Sequence, residues 1–251
     1  MSSSRTPSRR SSLTPFYAIL GVLALVGIFF LARQLTHKED PTTRPVAVVM
    51  SKDQLARVRG ISIGRDDAPV VIYEFADFQC PGCGQFASMV TPLVRERLVQ
   101  PGKVRMVYYE FPLIQIHPNA FLAARAGRCA NEQGKFWEFH DVIYGQQPNW
   151  SSEKDPTELF VGYAQQAGAD PGKFEQCLRS DKYAKEVTES MQFGESLGIG
   201  GTPTLIVNGK RLPATPSYGE LEQLVNQESG AAPAPAAGAA ATPAPAAPAT
   251  R

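Results

Sequence analysis

Cys80 and Cys83 flank Pro81 and Gly82 in a Cys-x-x-Cys that follows Asp77, Phe78 and Gln79. Two thiols three positions apart can close a small disulfide ring, or supply half of a four-ligand zinc site. Their place in the chain bears on the choice. The run Val70-Val71-Ile72-Tyr73-Glu74-Phe75 predicts a strand just ahead of the pair, and Pro81 suits the first turn of a helix just after it. A cysteine at that junction meets unpaired helix amides and the positive end of the helix macrodipole, which favour a thiolate and lower the thiol pKa. A zinc site wants a second close pair, whereas Cys129 and Cys177 each stand alone. The expectation is a redox pair with no metal and no cofactor; an inert structural disulfide is the competing reading.

Glu74 is the one charge in that apolar run. In a central strand an ionised carboxylate is costly and its pKa should rise; on an edge strand it would simply face water. Near-continuous apolarity suggests a strand buried on both faces. Residues 103–111 form a second strand after a helix expected over 81–98 and closed by Pro101-Gly102. Strand, helix and strand in about 40 residues is a βαβ unit with parallel strands and a right-handed crossover.

The surrounding chain is uneven. It has 251 residues, a formal charge of +1 and four cysteines. That charge provides no general field for nucleic acid or anionic membrane, and the cysteines are too few for a disulfide scaffold. Residues 1–15 are Ser-rich, with Arg5, Arg9 and Arg10, and 16–32 carry no charge. As a helix that run spans roughly 26 Å, the short end of a bilayer crossing. A cleaved signal peptide wants small residues before the cut, and Phe30 stands there instead, so the expectation is an uncleaved anchor. Flanking arginines favour a cytoplasmic amino terminus and an extracytoplasmic, oxidising location for the remainder.

Residues 33–60 read as a tether with a short helix near 52–59. The folded domain is expected over 61–111 and 200–228, with a helical insertion over 112–199. Within the insertion, helices are expected from Pro118 to Ala130, over 136–144, 156–167 and 171–180, and finally 181–197. Phe136, Trp137, Phe139 and Tyr144 read as its core, and His140 as packed or solvent-facing. After Gly198 to Gly201, residues 204–207 and 210–212 make a hairpin on the Asn208-Gly209 turn. A closing helix over 217–227 has Ser217 as cap with Glu220 three residues on. The Ala/Pro-rich residues 229–251 are too poor in core-forming side chains to offset ordering and read as a disordered tail.

A βαβ unit with Cys-x-x-Cys at its first helix, then a ββα unit opening on Thr202-Pro203, resembles the thioredoxin fold, an α/β architecture. The helical insertion makes the chain similar to the DsbA-like thiol:disulfide oxidoreductases, especially their membrane-tethered bacterial branch. Asp67-Ala68-Pro69-Val70, Glu74 through Cys83, Phe111-Pro112-Leu113, His117-Pro118-Asn119-Ala120, Gly134-Lys135-Phe136-Trp137 and Gly201-Thr202-Pro203-Thr204 carry the likeness in consistent order. Gly82 departs from it, standing where many relatives have His or Tyr.

The resemblance implies disulfide formation in exported proteins, with Cys80 as nucleophile, Cys83 as resolving thiol and Glu74 as proton carrier for Cys83. It makes Pro203 a cis residue facing the pair, against the simpler reading of a turn proline. Thr202, Pro81 and Gly82 would contact the client; Phe78 would do so too, or else pack in the core. It also implies a Cys129–Cys177 bridge, the alternative being two buried free thiols. His117 caps or enters a helix, or lies near the active site. The implied partners are reduced exported clients and a re-oxidising membrane protein of the DsbB or vitamin K epoxide reductase type. Residues 33–60 are too short for the dimerisation domain of similar isomerases, which implies a monomer. An isomerase or reductase on the same fold, and a Cu or Zn metallochaperone using Cys80 and Cys83, are the alternatives.

Overall fold

The computed structural model describes residues 14–36 and 44–230. Most of the expected cytoplasmic tail, part of the tether and nearly all of the Ala/Pro tail lie outside the described residues. The chain divides into two units, one ending at Arg44 and the other starting at Pro45. The first holds α1 (Thr14–Thr36), which contains the charge-free run. Its described side chains extend only from Phe16 to Phe29, and among the described residues no helix is long and apolar enough to cross a membrane.

The second unit is built on a six-stranded sheet. In chain order its elements begin β1 (Val46–Ala47), α2 (Lys52–Arg57), β2 (Ile61–Ile63) and β3 (Val70–Ala76). Then follow α3 (Pro81–Met89), α4 (Thr91–Val94) and β4 (Val104–Glu110). The inserted helices are α5 (Ala120–Glu132), α6 (Phe136–Gly145), α7 (Gln147–Trp150), α8 (Thr157–Gln166), α9 (Pro171–Arg179) and α10 (Ala184–Ser196). The chain returns to the sheet through β5 (Thr204–Val207) and β6 (Lys210–Arg211) and closes with α11 (Tyr218–Gly230).

Strand order is β1-β6-β5-β3-β4-β2, so β3 is central. It runs parallel to β4, with Glu74 opposite Tyr108, and antiparallel to β5, with Glu74 opposite Leu205. Alternation along the strands separates two cores. Ile72, Ala76, Tyr108 and Leu205 belong to one, which α3, α11 and the inserted helices α5 to α9 cover. Phe75, Tyr109 and Ile206 belong to the other, against α10 and α2. Gly194 lets α10 approach closely, because a Cβ there would lie 2.6 Å from the Phe111 ring. Asn208 and Gly209 have φ of 45° and 78°, as their tight turn requires.

Two expectations change. The tether does not reach residue 60: β1 pairs with β6, Leu55 and Val58 pack into the second core, and Tyr109 Oη donates to the Val58 carbonyl. The folded unit therefore starts at Pro45. The helix over 81–98 is also interrupted. Pro92 has no amide hydrogen, so α3 ends at Met89, α4 restarts at Thr91, and Arg95–Val99 forms a wider π turn.

The insertion is braced within itself and tied to the sheet. Cys129 on α5 and Cys177 on α9 are joined by a disulfide, with Cα atoms 5.8 Å apart. Arg128, also on α5, reaches Glu110 Oε2 at 2.6 Å and the Arg59 carbonyl at 2.9 Å, a largely buried junction of insertion, sheet and leading segment.

Candidate active site

β3 delivers the chain to the carboxyl end of the sheet, where residues 77–79 turn into α3. Cys80 is the residue capping α3, in extended conformation, and Pro81 opens the first turn. Its exposure is 8 %, whereas Cys83, one turn further in, is wholly buried. Both are free thiols.

Their environments drive two chemically identical groups apart. Cys80 is lowered to about 5, chiefly by hydrogen bonding with Cys83, with burial opposing; Thr202 and the amides of Cys83 and Gly82 add to the lowering. Cys83 is pushed well above the usual thiol range by burial first, and then by its role as partner to the Cys80 sulfur. A low-pKa thiol at a helix start beside a high-pKa thiol beneath it is an arrangement for disulfide exchange.

The Thr202-Pro203 peptide is cis and packs over the pair. Cys80 Sγ lies 3.4 Å from the Thr202 carbonyl oxygen. A Cβ placed on Gly82 would sit 3.4 Å from Pro203 Cδ and 3.8 Å from Cys80 Sγ, so glycine leaves the space beside the thiol open. Pro81 and Gly82 are exposed, forming a rim around the buried Cys83.

Glu74 is fully buried. Because β3 is central, the alternative of a water-facing edge strand does not apply. Burial raises its carboxyl to about 8, and neither side-chain oxygen has a hydrogen-bond partner among the described residues. It belongs to the same face as Ile72 and Ala76, the face that α3 and Cys83 cover.

Phe78 requires a correction. It is 1 % exposed and stacks on Tyr108 with ring centres 5.4 Å apart, with Tyr144 at 4.9 Å and Phe136 at 6.3 Å. It offers no surface to a client; its ring anchors the insertion beneath the motif. His140 is buried in the same aromatic group, and burial lowers its pKa. His117 stands just ahead of α5, its carbonyl accepting from the Ala120 amide at 3.1 Å, and its ring lies 2.6 Å from Asp77 Oδ2.

Sequence reasoning missed the polar scaffold under the cysteines. Gln147 on α7 donates to the carbonyls of Phe78 and Cys80 at 2.7 and 3.0 Å. Gln79 donates to the Ser151 carbonyl and accepts from the Asn119 amide, both at 2.7 Å. Asp77 accepts from the Gln79 and Leu113 amides at 2.7 and 2.9 Å. The only signal in the sequence was polarity at Asp77 and Gln79 beside apolar neighbours; α7 is too short to announce itself by periodicity.

A central β3, a Cys-x-x-Cys opening the next helix and a cis proline facing it define a thioredoxin-fold protein with a thiol-exchange centre. The family model described as Thioredoxin matches residues 56–227, and the chain belongs to that family, with a DsbA-like fold. It is 27 % identical over 170 residues to disulfide bond formation protein D of Bacillus subtilis, covering 66 % of this chain and 75 % of the relative. The crystal structure of oxidised BdbD from Bacillus subtilis superposes with a TM-score of 0.64 at 25 % identity, covering 74 % of this chain and 99 % of that one. The chain is also 38 % identical over 148 residues, 59 % of its length, to the Na(+)/H(+) antiporter NhaA 3 of Salinispora tropica. It spans only 21 % of that protein and of the similar antiporter from Salinispora arenicola.

Proposed function

We propose that this chain is an extracytoplasmic protein thiol:disulfide oxidoreductase that forms disulfides in exported clients. The observation that carries this is the split between Cys80, a stabilised thiolate at the start of α3 beside Thr202-Pro203, and Cys83, a buried thiol of high pKa. Stabilising Cys80 in the reduced pair makes the disulfide a stronger oxidant. Gly82 contributes no side chain to this, so the stabilisation comes from Cys83, Thr202 and helix amides. Relatives named disulfide bond formation protein D support the same reading.

In the proposed cycle, a client thiolate attacks Cys80 Sγ of the Cys80–Cys83 disulfide. The S–S bond breaks and Cys83 departs as a thiolate, taking a proton from the Glu74 carboxylic acid. A second client thiolate then attacks the client sulfur of the mixed disulfide and expels the Cys80 thiolate. The client has lost two electrons and the pair has gained them. Thr202 offers its backbone to an extended client peptide, and Pro81 and Gly82 form the exposed rim.

The two electrons must leave again, through a re-oxidising membrane protein of the DsbB or vitamin K epoxide reductase type. The charge-free residues 16–32 and their leading arginines support a membrane anchor with a cytoplasmic amino terminus. We assign the folded unit to the far side of that membrane, as a monomer.

Oxidised protein mixed with a reduced, unfolded multi-cysteine client tests the reading. Client disulfides should form and Cys80→Ser should abolish this; Cys83→Ser, first loaded on Cys80 with glutathione as a mixed disulfide, should exchange that glutathione for a client thiol and accumulate the client mixed disulfide on Cys80. Equal client oxidation by the wild type and Cys80→Ser would contradict it.

A further inference from the structure

Asp77 lies between the end of β3 and Cys80, and its carboxylate is fully buried. Its backbone amide donates to Cys83 Sγ at 3.5 Å. Its side chain gathers three donors: Oδ1 accepts from the Gln79 amide at 2.7 Å, while Oδ2 accepts from the Leu113 amide at 2.9 Å and lies 2.6 Å from His117 Nδ1. A carboxylate oxygen only accepts, so the hydrogen resides on Nδ1. Two of the donors come from the segment between β4 and α5, so one buried carboxylate ties that segment to the turn that aims the Asp77 amide.

We infer that Asp77 and His117 form a positioning pair for the resolving cysteine: His117 and Leu113 lock the Asp77 carboxylate, and the locked residue keeps its amide directed at the Cys83 sulfur. This rests on the oxidoreductase reading above. In that reaction negative charge develops on Cys83 whenever the Cys80–Cys83 bond opens, and also when Cys83 attacks a mixed disulfide on Cys80. The two steps are the forward and reverse of one transition state. In one direction the S–S bond breaks and Cys83 departs as a thiolate; in the other, Cys83 forms the S–S bond and expels the client thiolate. A fixed amide donor at that sulfur speeds both, as an oriented dipole does wherever charge appears. It acts little on Cys80, whose thiolate is served by other donors.

The test measures how fast dithiothreitol opens the Cys80–Cys83 disulfide, and how fast Cys83 resolves a glutathione mixed disulfide on Cys80. His117→Leu fills the volume without a donor, and should slow both rates roughly five- to tenfold, the scale of a weakened charge-assisted hydrogen bond. His117→Asn places an amide N–H near the Nδ1 position and should restore most of the rate. Titration of the Cys80 thiolate, followed by absorbance near 240 nm, should be the same in all three proteins. Should His117→Leu not fold, His117→Ala serves in its place. Rates equal to wild type in the donor-less variant would overturn the inference, as would slowing that His117→Asn does not relieve. A wild-type pair that exchanged with neither dithiothreitol nor glutathione would instead overturn the oxidoreductase reading itself.

Discussion

Cys80 and Cys83 differ by one helical turn, and that turn sets their thiol pKa values apart. At the start of α3 the Cys83 thiol and the amides of Gly82 and Cys83 converge on Cys80; Cys83 itself is buried, serves as partner to the Cys80 sulfur and receives a weak contact from the Asp77 amide. Glu74, buried on the same face, is the proton carrier of the proposed cycle. Its raised pKa fixes a sign for stability. Burial lifts it from an ordinary 4.5 to about 8, so between those values the folded protein holds a proton that the unfolded chain releases. The corresponding stability is fully present below pH 4.5 and lost as pH rises through about 8, roughly 5 kcal/mol over the whole window. Glu74→Gln removes this dependence. Urea unfolding should show the variant gaining on the wild type as pH rises from about 5 to about 8.5. Parallel stability curves would mean that the carboxyl is not proton-bound in the fold.

At the scale of elements, legibility followed the strength of the local signal. β3, α3, β4, β5 and the Asn208-Gly209 turn were readable because an apolar run, a Pro at a first helical turn or a positive-φ turn pair marks each one. β1, with two residues, and β2, with three, carry no periodicity and exist because their partners in the sheet exist. The break at Thr91 was visible in Pro92 but masked by the apolar pattern on either side. The cysteines were legible because a short motif contains them. Asp77, His117 and Gln147 were not read as one scaffold, since the separations of 40 residues from Asp77 to His117 and of 69 from Phe78 to Gln147 are bridged only through the fold. Phe78 was ambiguous for the same reason, its place in the core being set by rings on β4 and α6. The Cys129–Cys177 bridge closes a separation of 48 residues between α5 and α9. Replacing both by Ser should cost roughly 4 kcal/mol of unfolding free energy in urea by the loop-closure argument. The Cys80 thiolate should titrate as before. A loss confined to a few tenths of a kcal/mol would show that the packing of α5 on α9 does not depend on the bridge.

For the molecule as a whole, the thioredoxin unit starts at Pro45, and the inserted helices fasten to the sheet through the aromatic group around Phe78 and the Arg128–Glu110 junction. The polar scaffold then joins that insertion to the turn bearing the cysteines. What the proposed function adds is a direction of electron flow, from exported clients through Cys80 to an acceptor in the membrane. That direction depends on how strongly the reduced pair is stabilised, a property of the assembled site and not of the four-residue motif. The redox equilibrium of Cys80–Cys83 against glutathione measures it directly. A reduction potential less negative than about −180 mV is the expected result, in the range of protein disulfide isomerase and stronger oxidants. A value near −270 mV, that of a thioredoxin-like reductant, would contradict the assignment as a disulfide-forming oxidase.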